Sequence, residues 1–384
     1  MSSFAAARRP LARLAVTATT AVALIAAGTP AAQASVAPLP DDTGVVSGAA
    51  YALAAAGDRT IVGGRFTRFG GQPRSNVAAV LPSGAVDPTF IANTNGKVEA
   101  VATSTDGDTV FIGGTFTTVN GEPRANLAAV DSATGEVLTD WSADTGGTQP
   151  TVMSLAVHGD RLYVGGKFNG IGVAGRSKLA AVGATDGKVI TEFNPRPNGL
   201  VREVVVSPDG TTVYAGGGFT KLGGVARSNA GSVLATNGAV TTFNPVVDSG
   251  TGVVTVALSP NGSRFFLSTQ NNFVRAYDPG TSNNPVWNAR TSGNTQAIAA
   301  SDTEVYMGGH WSGFQDGNIK RPYLGSVRMT DGKPTTWDPK CLGDKMGVWA
   351  LLIQDDKLNA AGVFRSFGTD AQRGYARFSG TPTP

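Results

Sequence analysis

Apolar residues in this chain fall into short runs separated by Gly, Asp, Asn and Thr, and the second hundred residues show the pattern best. Val98 to Ser104 is one run, closed by Thr105-Asp106-Gly107-Asp108; Thr109 to Phe116 is the next. Ala125 to Asp131 follows, ended by Ser-Ala-Thr-Gly, and Glu136 to Trp141 completes the set. Runs of this length between Asp-Gly, Asn-Gly or Thr-Gly pairs predict β-strands in antiparallel hairpins, because such pairs accept the positive φ of tight turns. No segment keeps apolar residues at i, i+3, i+4 and i+7 with a cap at each end, so no helix is predicted.

The four-run set repeats. Ile61-Val-Gly-Gly-Arg-Phe-Thr-Arg-Phe-Gly-Gly-Gln-Pro-Arg-Ser-Asn-Val-Ala-Ala-Val80 returns as copies beginning at Ile112, Val164 and Ala215, more weakly at Met307, and in eroded form at Ala361. The first glycines of the first four pairs, Gly63, Gly113, Gly165 and Gly216, are 50, 52 and 51 residues apart. Self-similarity of that period is the mark of a propeller or solenoid. A fifth unit, from Val253 to Trp287, lacks the Gly-Gly insert; a sixth runs from Gln296 to Trp337 and a seventh starts near Gly347. The expected fold is therefore all-β: a seven-bladed β-propeller of four antiparallel strands per blade, which leaves only short, protected edges. The seventh unit runs out after its third strand, and residues 35–39 stand spare ahead of the first, so this N-terminal segment is expected to complete the last blade and close the ring.

The repeated phrase resembles the delta-60-type repeats of secreted bacterial β-propellers, over roughly residues 45 to 380. Val201-Arg-Glu-Val-Val-Val-Ser-Pro-Asp-Gly210 is also similar to the inner strand and turn of WD-repeat blades, although Val130-Asp131 and Tyr277-Asp278 stand where those end in Trp-Asp. The resemblance implies the propeller fold and carries no catalytic signature.

Charge alters the picture only at the N-terminus. Residues 1–34 have Arg8, Arg9 and Arg13, then an apolar run from Leu14 to Ala27, then Ala32-Gln33-Ala34, which reads as a secretory signal peptide. A retained membrane anchor is the alternative, but the run is short of the ~20 residues a spanning helix needs. Without that segment the 31 Lys+Arg fall to 28, equal to the 28 Asp+Glu. A near-neutral mature chain, 35–380 as one domain with a tail at 381–384, gives no support to a nucleic-acid partner. A secreted or envelope-associated monomer is expected, a non-catalytic binding module or scaffold whose partner, an extracellular protein or cell-envelope glycan, meets the loop-rich face. Cys341 stands alone, so no disulfide framework is available.

Three features of the sequence are candidate sites. Arg74, Arg124, Arg176, Arg227, Arg321 and Arg373 recur in corresponding loops. They would form a ring for an anionic partner if exposed, or tie each loop to backbone carbonyls if not; recurrence in nearly every unit favours the tie, since a binding site usually breaks repeat symmetry. Symmetry breaks in the sixth unit, where His310-Trp311 replaces the usual small residue and Phe, near Gln315, Asp316, Asn318 and Lys320. An exposed Trp311 would give a sugar ring its platform; a Trp311 buried in the Phe position would not. Asp106-Gly-Asp108 and Asp209-Gly210 could face Ca²⁺ but suit turns equally. With two histidines, no Gly-x-Ser-x-Gly and no His-Glu-x-x-His, nucleophilic and zinc mechanisms lack their parts, and no cofactor, metal or catalytic residue is assigned. A carboxylate pair for glycoside cleavage at a central channel stays open, because its spacing is spatial.

Overall fold

Strands supply nearly all the regular structure: a computed structural model describes residues 36–248 and 250–380, and its one helical element is a short 3₁₀ turn at Asp316–Asn318. The export signal read over residues 1–34 and the tail at 381–384 lie outside the described residues. Seven principal antiparallel sheets follow one another along the chain. Their first strands are Val46–Ala56, Val98–Thr103, Thr151–His158, Val201–Val206, Val253–Leu258, Thr295–Ala300 and Cys341–Gln354. Each pairs with the next strand across a tight turn, and that second strand pairs with a third, as Val98–Thr103, Thr109–Gly114 and Leu127–Asp131 do.

The first strands touch in chain order, and Cys341–Gln354 touches Val46–Ala56. The apolar core is correspondingly divided into seven clusters, each shared by two successive sheets and one by the last and first. Phe66, Phe116, Phe168, Phe219 and Trp311, which follow the glycine pairs, are all buried in these clusters. Burying an aromatic side chain of this size contributes about 1.5–3 kcal/mol.

The first glycine of each pair makes the close stacking possible. A Cβ on Gly113 would stand 2.4 Å from Cγ1 of Val152 in the next sheet, and one on Gly216 would stand 2.6 Å from Val253 and Val256. In the last sheet the corresponding residue is Ala361, and the cluster it shares with the first sheet holds Ala50 where five of the other sheets present valine and the sixth Thr295.

The expected fourth run forms a full strand only in the shortened fifth sheet, where Trp287–Arg290 pairs with Phe273–Tyr277; the additional strands of the first and last sheets are the two-residue hairpin pieces Gln72–Pro73 and Asp370–Ala371. Elsewhere the fourth run is a single bridge, Val130↔Val137 or Val233↔Val240 for example. The repeated arginine explains the difference. Arg124 donates to the carbonyls of Leu138 and Thr139 at 3.2 and 3.4 Å, and Arg227 to Thr241 at 2.6 Å. The guanidinium takes the carbonyls at the end of the fourth run, and the sheet without the arginine loop keeps a full ladder instead.

Beside the last sheet's third strand, Tyr375–Phe378, lies the N-terminal segment. Val36 bridges Gly380, Ala37 N–H donates to Ser379 O at 2.8 Å, and Asp41 N–H donates to Arg377 O at 2.7 Å. Arg377 Nε reaches Asp41 Oδ2 at 2.8 Å.

Candidate functional site

Each first strand carries one extra residue opposite its partner. At one corresponding place in each sheet the register skips a residue, namely Tyr51, Glu99, Met153, Arg202, Val254, Gln296 and Trp349, and the first and last sheets carry further irregularities nearer the start of the strand. Where the glycine pair is present it faces this bulge: Val98 pairs with Gly114 and Ala100 with Gly113, leaving Glu99 between them. The second glycine is required there, since a Cβ on Gly114 would lie 2.1 Å from Lys97 O. A bulge unpairs a residue and re-aims its side chain.

Residues from all seven first strands line one cavity of about 270 Å³. Five bulge residues open onto it, namely Tyr51, Glu99, Met153, Gln296 and Trp349. Tyr51 and Trp349, from the first and last sheets, are half-buried and meet edge to face with ring centroids 5.6 Å apart. Lys97 Nζ sits 4.0 Å from the Tyr51 ring centre and 2.8 Å from Glu99 Oε1. The indole nitrogen of Trp349 is buried without a hydrogen-bond partner. A flat apolar surface bordered by acid, base and amide groups is what a small polar ligand requires.

Deeper in the lining is Glu203. Ser154 Oγ donates to its Oε1 at 2.9 Å and Thr255 Oγ1 to its Oε2 at 3.5 Å. Protein surrounds it on every side except the lumen, and burial pushes its carboxyl up to about 7, against the pull of the two hydroxyls.

The residues expected to form a sugar site in the sixth unit are not brought together. Trp311 is 1% exposed and packs on Phe314 at 5.2 Å, so it fills the Phe position and offers no platform. Gln315, Asp316 and Lys320 are exposed on the hairpin tip. His310 instead meets Gln296, its Nδ1 3.2 Å from Gln296 Nε2, and burial holds its imidazole below the usual pKa. The shortened fifth unit is expected to leave a notch beside that loop; the groove of about 620 Å³ that its sheet borders is walled by Arg202, Gly252 and Gln270 among others, and by none of residues 310–320.

The arginines do not form an open ring either. Arg74, Arg227 and Arg321 are 7–9% exposed, and Arg124 and Arg176 are half-buried. Arg74 Nη2 donates to Asp87 O and Pro88 O, Arg176 Nη2 to Thr191 O, and Arg321 Nη1 to Thr335 O and Trp337 O. Arg373 is exposed and sits one register position away from the others: Tyr375 pairs with Ala361 as Val77 pairs with Gly63, which sets Gln372 opposite the role of Arg74. Gln372 Nε2 accordingly donates to Asp41 O and Thr43 Oγ1, each at 3.0 Å.

Asp106 and Asp209 are turn residues. Asp106 Oδ1 accepts from Ser104 Oγ and Asp108 N–H, and the Ser104 bond chiefly lowers its pKa. Among the described residues no group of three or more His, Cys, Asp or Glu could hold a metal ion.

Residues 58–90 match the family model described as "Domain of unknown function (DUF5122) beta-propeller". The matched stretch is the first copy of the repeated phrase. With the all-β fold it supports a β-propeller family. No curated protein matches the chain.

Proposed function

We propose that the chain is a secreted, non-catalytic seven-bladed β-propeller of the delta-60 type, closed by residues 36–46, that binds an extracellular glycan or protein at the mouth of its axial channel. The observation that carries the site is the Tyr51–Trp349 pair, two half-buried rings at 5.6 Å on the wall of a cavity to which all seven first strands contribute. Support for seven blades comes from the cyclic order of strand contacts and of the core clusters. Closure draws support from the hydrogen bonds that tie Ala37 and Asp41 to the last sheet.

The test is retention of the mature protein on immobilised neutral, N-acetylated, amino and uronic polysaccharides and on cell-envelope protein. Wild-type protein is expected to be retained on one of these, and Trp349→Ala with Tyr51→Ala to lose retention while Arg124→Ala keeps it. Retention that survives loss of both rings would refute the site.

A second reading, a polysaccharide hydrolase or lyase, is favoured by one observation: Glu99 and Glu203 line the same cavity, and Glu203 has the raised pKa of a general acid. New reducing ends released by wild type but not by Glu203→Gln would establish it.

A further inference from the structure

Glu203 is a carboxyl without a cation. No Lys, Arg or His ion-pairs with it among the described residues, and its partners are the hydroxyls of Ser154 and Thr255. Every strand around it adds to this isolation. On the strand before it, Met153, Ser154 and Leu155 face the cavity; on the strand after it, Thr255, Val256 and Ala257 do so. Arg202, the residue beside it, lines a separate groove with Gly217 and Gln270. The other titratable groups in the cavity lining are Tyr51 and Glu99, and Lys97 is drawn to those two, at 4.0 Å from the ring and 2.8 Å from the carboxylate. The lining thus carries two carboxyl groups, one neutralised from within and one not.

The place after the bulge faces the cavity in every sheet. Between Val201 and Glu203 the register jumps past Arg202, and Glu203 takes the place held elsewhere by Ala52, Ala100, Ser154, Thr255, Ala297 and Ala350. A carboxyl at a position otherwise given to small side chains is the strongest break of symmetry in the cavity.

Resting on the channel-mouth site proposed above, we infer that the ligand is an unacetylated amino sugar, its ammonium group beside Glu203 and its ring against Tyr51 and Trp349. A primary ammonium supplies three donors. The Glu203 carboxylate can accept two and the Thr255 hydroxyl one, and the amide of Gln296 remains for sugar hydroxyls. An N-acetylated sugar brings no charge and a larger group to the same small cavity. Where Glu203 is protonated, it releases its proton to solvent as the carboxylate forms its ion pair with the incoming ammonium. Binding therefore weakens below pH 7, where Glu203 keeps its proton, and again at high pH, where the amine loses its own.

Calorimetric titration of the mature protein with tri-glucosamine, tri-N-acetylglucosamine and a lysine-containing peptide tests this. The expected result is binding of tri-glucosamine at least tenfold tighter than of the acetylated trimer, with proton release at pH 7 seen as a dependence on buffer ionisation heat. Glu203→Gln, with its fold checked by melting temperature, should erase the tenfold preference. Equal binding of the two trimers would overturn the ammonium inference while the aromatic site stands. Binding of the peptide alone, or of no probe, would overturn the amino-sugar assignment; Trp349 fluorescence unmoved by every probe would count against the channel mouth as well.

Discussion

The indole nitrogen of Trp337 donates a hydrogen bond of 3.0 Å to the carbonyl of Ala37, 300 residues away along the chain. Trp337 ends the sixth sheet's outer run, and Ala37 belongs to the segment that flanks the last strand, so one bond ties the N-terminal segment to the sixth sheet as well as the last. With it go the contacts of Asp41 with Arg377, Ser379 and Gln372. Deleting residues 35–45 removes several such bonds, each contributing about 0.5–1.5 kcal/mol. The melting temperature of the mature protein should fall by about 10 °C or more; an unchanged melt would contradict closure by this segment.

Gly113→Ala should destabilise the protein by about 1–3 kcal/mol, the ordinary cost of overpacking a core. The new methyl would lie 2.4 Å from Val152 Cγ1. Val152→Ala in the same background should recover part of that loss, and urea unfolding of the four proteins of the cycle measures it.

The architecture was legible because each repeat states its own construction. Gly-Gly pairs, Asn-Gly and Asp-Gly turns and the period near fifty residues all follow from local steric needs. What escaped were relations decided in space. The fourth runs look like strands, yet five of them shrink to single bridges because the arginines occupy their carbonyls. Trp311 is the residue that breaks the pattern, yet it breaks it inside the core, where only its volume matters. Arg373 lies beside the true counterpart, Gln372, because one residue of register shifts every role in a strand. The cavity was hidden for the same reason: Arg202 and Glu203 are neighbours in the chain, yet Glu203 lines the lumen and Arg202 a separate groove. The signal that could have found it is the glycine pair itself, which marks the bulge opposite.

Arg227→Ala should cost about 1–3 kcal/mol, since it orphans the carbonyls of Ala226 and Thr241 in a buried setting. Arg373→Ala, at an exposed position, should change stability by less than about 0.5 kcal/mol. Neither should alter ligand retention. Loss of retention in both would restore the anionic ring.

Glu203 sets a pH dependence of stability. Its carboxyl titrates near 7 in the folded protein against 4.5 in the unfolded chain, so between these values the native state holds a proton that the unfolded state has released. Stability from this group is complete below pH 4.5, falls as pH rises through the window, and is lower by about 3 kcal/mol above pH 7. Urea unfolding at pH 4.5, 6 and 8 should show this slope in wild type and a flatter profile in Glu203→Gln.

The location of the binding site is tested most directly by ¹⁹F NMR of the protein labelled with 5-fluorotryptophan, which reports its five tryptophans separately. The Trp349 resonance is assigned by its loss in Trp349→Phe, and that of Trp311 likewise, before titration with tri-glucosamine. The expected result is a saturable shift of Trp349 alone, with Trp311 unmoved. A shift of Trp311, or ligand binding that leaves Trp349 in place, would contradict a site at the channel mouth.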